Sequence, residues 1–128
     1  MSPSKEETLV HDYPLTFGKN TIGPMWGLEI CDGWFAIIDA LFSRFEAHNK
    51  NTTLKNRVVL SQVKEKFGAL RVYVDDCDDP FPSWMNDEIA KAEELSRKTC
   101  ENCGDPGELR GGSWLKTLCD PCRSTRGV

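Results

Sequence analysis

Residues 100–122 read CENCGDPGELRGGSWLKTLCDPC, and this stretch contains two C-x2-C pairs. Fifteen residues separate the first pair, Cys100 and Cys103, from the second, Cys119 and Cys122. Each tight turn directs two sulfurs toward one ion, and a hairpin between the turns brings the second pair back to the first. The spacing therefore predicts a four-cysteine zinc site within a zinc-ribbon module at residues 99–128.

A metal shell filled by four cysteines leaves no coordination position for water or substrate. We therefore expect Zn²⁺ as a structural cofactor and no catalysis at the metal. An iron site and a redox-active dithiol pair are the alternatives. Neither C-x2-C pair follows a β–α–β pattern, which favours the ribbon over a redox site.

The composition indicates one compact domain or a domain with a small appendage. The chain has 128 residues, six cysteines and a formal net charge of −4, and a chain of this length buries a core without disulfides. The first thirty residues lack the continuous apolar stretch of a secretory signal, and no apolar run reaches the roughly 18 residues of a membrane span. We therefore expect a cytoplasmic protein without a membrane partner.

Charge is distributed unevenly along the chain. Residues 1–96 contain ten Lys/Arg and sixteen Asp/Glu, a net charge of −6, whereas residues 97–128 contain six and four, a net charge of +2. Affinity for a nucleic-acid backbone depends largely on cationic contacts. The acidic body therefore argues against phosphate binding over the whole surface.

The rest of the sequence predicts an α+β fold, a helix–β-hairpin–helix body at residues 25–98 followed by the zinc ribbon. Residues 1–24 contain Pro and Gly among polar residues without a sustained period, which indicates an irregular N-terminal arm. The first helix of the body is predicted to begin at Asp32 as N-cap. Its buried stripe consists of Trp34, Ile37, Ile38, Leu41, Phe42 and Phe45, and its exposed face of Arg44, Glu46, His48 and Lys50.

A hairpin is predicted at residues 57–75, with its turn at residues 66–68. Leu70, Val72 and Val74 alternate with more polar positions, so one face of the second strand is expected to be buried. The second helix is expected at residues 83–98, with Met85, Ile89, Ala92 and Leu95 on its apolar side.

Two groups of side chains are candidates for binding a ligand or a partner. Cations interleaved with aromatic rings hold phosphates and stack bases, but they also occur on ordinary exposed strands and in protein interfaces. The hairpin face is therefore interpreted as a nucleotide or nucleic-acid site, as a protein interface or as an ordinary exposed strand face. It carries Gln62, Lys64, Lys66, Arg71 and Tyr73. The ribbon candidates are Arg110, Trp114 and Lys116, beside a glycine turn.

Two further features have simpler interpretations. Cys31 precedes a helix N-terminus, which favours a thiolate, but Asp32 opposes that effect and no nucleophile–base signature surrounds it. We interpret it as a packing residue. The acidic run at residues 75–80 lacks the glycine and terminal glutamate of an EF-hand, so a solvated loop is favoured over a calcium site. Contact with a protein partner is another interpretation of this run.

Three stretches of this sequence resemble a group of small proteins common in bacteriophage and prophage genomes. They are CDGWF at residues 31–35, QVKEKFGALRVY at residues 62–73, and the cysteine-bounded segment at residues 100–122. The family resembles a set of accessory proteins with a C-terminal zinc ribbon and without an assigned activity. The resemblance implies a viral or mobile-element origin and an intracellular site of action.

These observations together predict a non-enzymatic phage protein that binds a host protein, for example as an inhibitor of a defence or nucleic-acid-handling system. The alternative is a protein that binds nucleic acid or sequesters a small nucleotide. An enzyme that uses Cys31 or the carboxylates is the third class.

Overall fold

A computed structural model describes residues 1–18, 28–75, 82–111 and 115–125 of the chain. Two antiparallel β-hairpins lie between helices, which confirms the predicted α+β class and a zinc-ribbon-like C-terminal module. The helices are α1 (Pro3–Asp12), α2 (Pro14–Phe17), α3 (Phe35–Lys50), α4 (Ser83–Ser96) and α5 (Asp120–Thr125). The strands are β1 (Leu60–Lys66), β2 (Ala69–Val74), β3 (Glu108–Arg110) and β4 (Lys116–Leu118).

Helix α3 is the centre of the hydrophobic core. A 3₁₀ turn at Asp32–Trp34 leads into it, and all six residues of the predicted apolar stripe are buried. The Phe42 ring meets the Phe17 ring edge to face at 5.6 Å between centroids. The body core also takes in residues from α1, α2, the first hairpin and α4. The 3.6-residue period thus located the main buried face.

The predicted irregular N-terminal arm is wrong for residues 3–17, which form helices α1 and α2. Leu9 and Phe17 are fully buried in the body core. The arm contains few apolar residues, so it shows no helical period, and its helices are held by docking rather than by an amphipathic pattern of their own. The rest of the predicted arm, residues 19–24, lies outside the described residues.

Carboxylates near α3 hold this N-terminal segment in place. Glu46, predicted to be exposed, is buried, and its carboxylate accepts bonds from the backbone N–H of Leu15 at 3.3 Å and of Thr16 at 2.9 Å. Asp32 does not cap its own helix, because its carboxylate accepts a bond from the backbone N–H of Ser2 at 2.7 Å. Both side chains therefore satisfy N–H groups at the starts of other helices.

The first hairpin has the predicted alternation. Lys66 pairs with Ala69 around the two-residue turn Phe67-Gly68. Leu70 and Val72 are buried against the body core, whereas Tyr73 is exposed on the opposite face.

Both edges of this hairpin are covered. The Leu70 backbone N–H donates to Ser96 Oγ at 2.9 Å, and that of Val72 to Glu93 at 3.2 Å, so α4 satisfies the β2 edge. The other edge exchanges backbone bonds with Glu29. On α4 the predicted apolar side is wrong at Leu95, which is 52% exposed, because the adjacent Ser96 takes the buried position beside β2. Within the described residues, no helix is both long and apolar enough to cross a lipid bilayer.

Candidate metal centre

The C-terminal module has very little apolar core. Strands β3 and β4 pair over three residues each. The buried cluster of the module consists of Cys100, Leu118 and Cys119, with Cys122 packed beside it. A hairpin of this size buries too little apolar surface to fold without a further stabilising element.

The structure brings the four predicted ligands together. The sulfur atoms of Cys100, Cys103, Cys119 and Cys122 all lie within 4.8 Å of one another, and the Sγ atoms of Cys103 and Cys119 are 3.6 Å apart. A tetrahedral site with metal–sulfur bonds of about 2.3 Å has sulfur–sulfur distances of about 3.8 Å. All four cysteines are free thiols. The arrangement therefore fits one metal ion with four thiolate ligands.

The pKa values of these thiols differ, and they also favour a bound cation. Burial raises the pKa of Cys100, but backbone N–H groups of Cys119, Cys103 and Asn102 outweigh it and lower this pKa to about 6. The Asp105 backbone N–H lowers the pKa of Cys103, but burial and the other sulfurs raise it to about 12. Four adjacent thiolates repel one another, so full ionisation requires a cation between them.

Backbone bonds shape the two turns that carry the ligands. In the first turn, the Gly104 N–H donates to the Cys100 carbonyl at 2.9 Å, and Gly104 has a φ of 88°, which glycine adopts without strain. In the second, the Arg123 N–H donates to the Cys119 carbonyl at 3.0 Å as α5 begins. The Asn102 side chain donates to the Cys122 sulfur at 3.3 Å. A donor to a ligand sulfur orients that ligand.

The first C-x2-C turn is joined directly to the start of α3. The backbone N–H of Gly33 donates to the Glu101 carbonyl at 2.7 Å, and the Trp34 indole N–H donates to the Thr99 carbonyl at 2.9 Å. A side chain at position 33 would lie 2.2 Å from the carbonyl oxygen of Cys100. Only glycine allows this backbone approach, and the module is consequently docked against the body.

Lys116, a predicted binding residue, lies in an internal ion-pair network. Its ammonium is 2.8 Å from Glu65 and 3.4 Å from Glu101. Burial lowers its pKa, but the hydrogen bond to Glu65 and the charge of Glu101 outweigh burial and raise the pKa above its ordinary value. Because Glu65 is on β1 and the other two residues are in the ribbon, this network joins ribbon to body.

Arg110, a second predicted binding residue, is also engaged within the module. Its guanidinium is 2.6 Å from Asp120 and 3.7 Å from Glu108, and its Nε donates to the Leu118 carbonyl. The side chain therefore braces β3 against the start of α5. Trp114, the third ribbon candidate, lies outside the described residues.

The hairpin candidates are placed on one face, as the alternation predicted. Gln62 pairs with Tyr73 across the strands, and Lys64 pairs with Arg71. The Lys64 ammonium lies 5.6 Å from the centre of the Tyr73 ring, and Arg71 forms a longer ion pair of 3.7 Å with Glu93 on α4. Gln62, Lys66 and Tyr73 are exposed, and Lys64 and Arg71 are half-buried.

The structure adds no support for a functional site at Cys31 or at the acidic run. Cys31 is half-buried, and its backbone N–H donates to the Glu101 carboxylate at 3.3 Å. In the acidic run, Asp75 is exposed and its backbone N–H donates to the Val59 carbonyl, while residues 76–80 lie outside the described residues.

Sequence reasoning missed two residues that position the site. Gly33 follows the predicted N-cap Asp32, and because Asp-Gly is typical of any turn, the sequence contains no signal of a close backbone contact there. Glu101 is 1% exposed, and a carboxylate between two ligand cysteines carries no signal of burial. Its partners come from residues 31 and 116, which are distant in sequence.

The fold and the cysteine centre define a class: an α+β protein with a zinc-ribbon-like C-terminal module that can bind a metal ion. Comparisons of the chain with protein-family models, with curated proteins and with solved structures give no match.

Proposed function

We propose that the four cysteines hold a structural Zn²⁺ ion. An all-cysteine donor set suits zinc and iron, and the paired turns of a ribbon suit a closed tetrahedral zinc site. The ion neutralises the thiolates and supplies the stability that the small buried cluster of the module lacks. With every ligand position filled by protein, the ion takes no part in a reaction.

We further propose that the protein is a non-enzymatic phage accessory protein that acts in the host cytoplasm by binding a host protein. The hairpin face of Gln62, Lys64, Lys66, Arg71 and Tyr73 is the contact surface that the geometry favours. The observation that carries this choice is that Gln62, Lys66 and Tyr73 of this face are exposed, whereas the described ribbon candidates Lys116 and Arg110 are ion-paired within the chain. The resemblance to phage and prophage proteins supports the host as the source of the partner.

Affinity capture from bacterial host lysate, with and without nuclease, tests this function. We expect one host protein to be retained after nuclease treatment and lost with Lys66→Glu, because Lys66 is an exposed cation of the hairpin face. Lys55→Glu is the matched control, since Lys55 is exposed on the 3₁₀ turn at Leu54–Asn56. Equal capture by both variants would contradict the proposed surface.

The second candidate function is binding of nucleic acid or of a small nucleotide. The Lys64–Tyr73 pair favours it, because a cation beside an exposed ring holds a phosphate and stacks a base. Affinity that falls steeply with salt would indicate a polynucleotide, and saturable one-to-one binding a small nucleotide. In the capture experiment, this function predicts loss of the retained material after nuclease, or a bound small molecule.

A further inference from the structure

The turn of the first hairpin contains a residue in an unfavourable backbone conformation. Phe67 has a φ of 55° and Gly68 a φ of 82°, and Phe67 is the one non-glycine residue with positive φ among those the structure describes. Two-residue turns of this kind favour Asn-Gly, because asparagine tolerates the left-handed region and bulky side chains do not. The chain therefore has phenylalanine where asparagine suits the backbone better.

Burial in the protein does not compensate for this strain. Phe67 is 67% exposed. Leu109 on β3, which is 56% exposed, lies against the same turn, since its Cδ1 atom is 2.5 Å from the position that a Cβ on Gly68 would take. The Thr117 hydroxyl donates to the Gly68 carbonyl at 2.6 Å and fixes the turn to the ribbon. Body and ribbon together hold two large apolar side chains in solvent, and we call Phe67 and Leu109 the apolar tip.

Among the described residues, the charges beside the apolar tip that have no ion-pair partner are positive. The Lys66 ammonium lies 5.6 Å from the centre of the Phe67 ring. Lys64 lies on the same face, and neither lysine forms an ion pair within the described residues, whereas Arg71 is paired with Glu93. The carboxylates near the tip are engaged within the chain: Glu65 accepts a bond from the Gly68 N–H at 2.7 Å and pairs with Lys116, and Glu108, next to Leu109, is 3.7 Å from Arg110. This basic border contrasts with the net charge of −4 for the chain. A complementary partner surface would carry carboxylates around an apolar pocket.

We propose that the apolar tip is the anchor of a protein interface and that it inserts into an apolar pocket rimmed by Asp and Glu on the partner. Strained residues persist where function requires them, and buried aromatic anchors dominate binding energy in interfaces. This inference rests on the proposed function, because it specifies how the host protein is recognised. Nucleic acid is disfavoured, since Leu109 offers no ring for stacking and the two lysines without an ion-pair partner, Lys64 and Lys66, give little phosphate affinity.

Phe67→Asn separates binding from folding. Asn-Gly suits the turn, so we expect the thermal midpoint of the variant to equal or exceed that of the parent. The probe is a library of random peptides selected on the zinc-loaded full chain. We expect the selected peptides to combine large apolar residues with Asp or Glu and to bind Phe67→Asn at least about tenfold more weakly.

Leu54→Asn is the control for loss of exposed apolar surface. Leu54 is 78% exposed on the 3₁₀ turn at Leu54–Asn56, which lies outside both strands of the first hairpin. We expect this variant to bind the selected peptides as the parent does. Peptides without an acidic and apolar consensus, or with equal affinity for Phe67→Asn, would overturn the inference. The inference would also be overturned if the parent binds a single-stranded oligonucleotide and Phe67→Asn does not. That result would assign the tip to nucleic-acid binding.

The same variant distinguishes failure of this inference from failure of the proposed function. If Phe67→Asn and the parent capture one host protein equally, the proposed function stands and the tip is not its anchor. If the peptides behave as expected but no host protein is captured, the tip stands as a protein-binding site and the phage–host function fails.

Discussion

A single residue determines how closely the first C-x2-C turn approaches the body. Gly33 donates its backbone N–H to Glu101, in the first C-x2-C turn, and a methyl group at position 33 would overlap backbone atoms of Cys100 and Glu101. Backbone cannot move aside as the end of a flexible side chain can. The absence of one Cβ atom is therefore a condition for docking the ribbon.

We expect Gly33→Ala to lower the free energy of unfolding by about 2–4 kcal/mol, because it combines overpacking with loss of a backbone hydrogen bond. Urea titration followed by tryptophan fluorescence measures the change. Gly111→Ala is the control, since no atom of the described residues, chain neighbours aside, lies within 4 Å of the added methyl group, and it should change stability by less than about 0.5 kcal/mol. Equal effects of the two substitutions would argue against the tight contact at Gly33.

At the scale of elements, polar side chains fix how parts of the fold lie against one another. The ammonium of Lys116 on β4 binds Glu65 on β1 and Glu101 in the first cysteine turn. Asn49 of α3 similarly exchanges two bonds with the backbone of Val58, both at 2.8 Å. A polar network of this kind fixes the relative position of elements. Removal of one member strongly destabilises the fold, because its buried partners are left unpaired.

Lys116→Met should therefore destabilise the protein by about 2–4 kcal/mol, because two carboxylates with little exposure lose their cation. This loss of stability is at the lower end of the range for removal of one partner from a buried ion pair, because the Lys116 side chain is 18% exposed and solvent screens its charge. Lys98→Met is the control, because Lys98 is well exposed and 4.0 Å from Glu94, and it should change stability little. Chemical denaturation of both variants measures the difference.

The pH dependence of this contribution follows from the raised pKa of Lys116. A cation with a raised folded pKa contributes its full stabilisation below the ordinary lysine value of 10.5. The contribution is lost as the pH rises through the folded pKa. The stability difference between parent and Lys116→Met should thus be constant near neutral pH and decrease above pH 10.5. A difference that disappears already at neutral pH would contradict the buried ion pair.

At the scale of the whole molecule, the two parts of the chain differ in what stabilises them. The body has a large apolar core around α3, whereas the module has a cluster of three buried residues. We therefore expect the body to retain its core without metal and the ribbon to lose its fold. Because residues 99 and 101 bind the start of α3, loss of the metal should also loosen that turn.

We expect one metal ion per chain by elemental analysis, and chelation should remove amide-exchange protection from residues 99–111 and 115–125 and from Gly33. Protection in α3 beyond its first turn should persist. Cys103→Ser should have the same effect without chelator, whereas Cys31→Ser, the same change outside the cluster, should keep the metal. An ordered ribbon after complete metal removal would contradict the structural role of the ion.

The sequence by itself determined the four-cysteine cluster that can bind a metal, the hairpin alternation and the buried stripe of α3, because each depends on spacing within one local segment. Tertiary structure alone decided that residues 3–17 fold as docked helices, that Glu46 and Glu101 are buried, and that Lys116 is paired rather than available. Those outcomes depend on partners that are distant in the sequence. A buried carboxylate and an exposed one have the same sequence pattern, and only the fold supplies the donors that distinguish them.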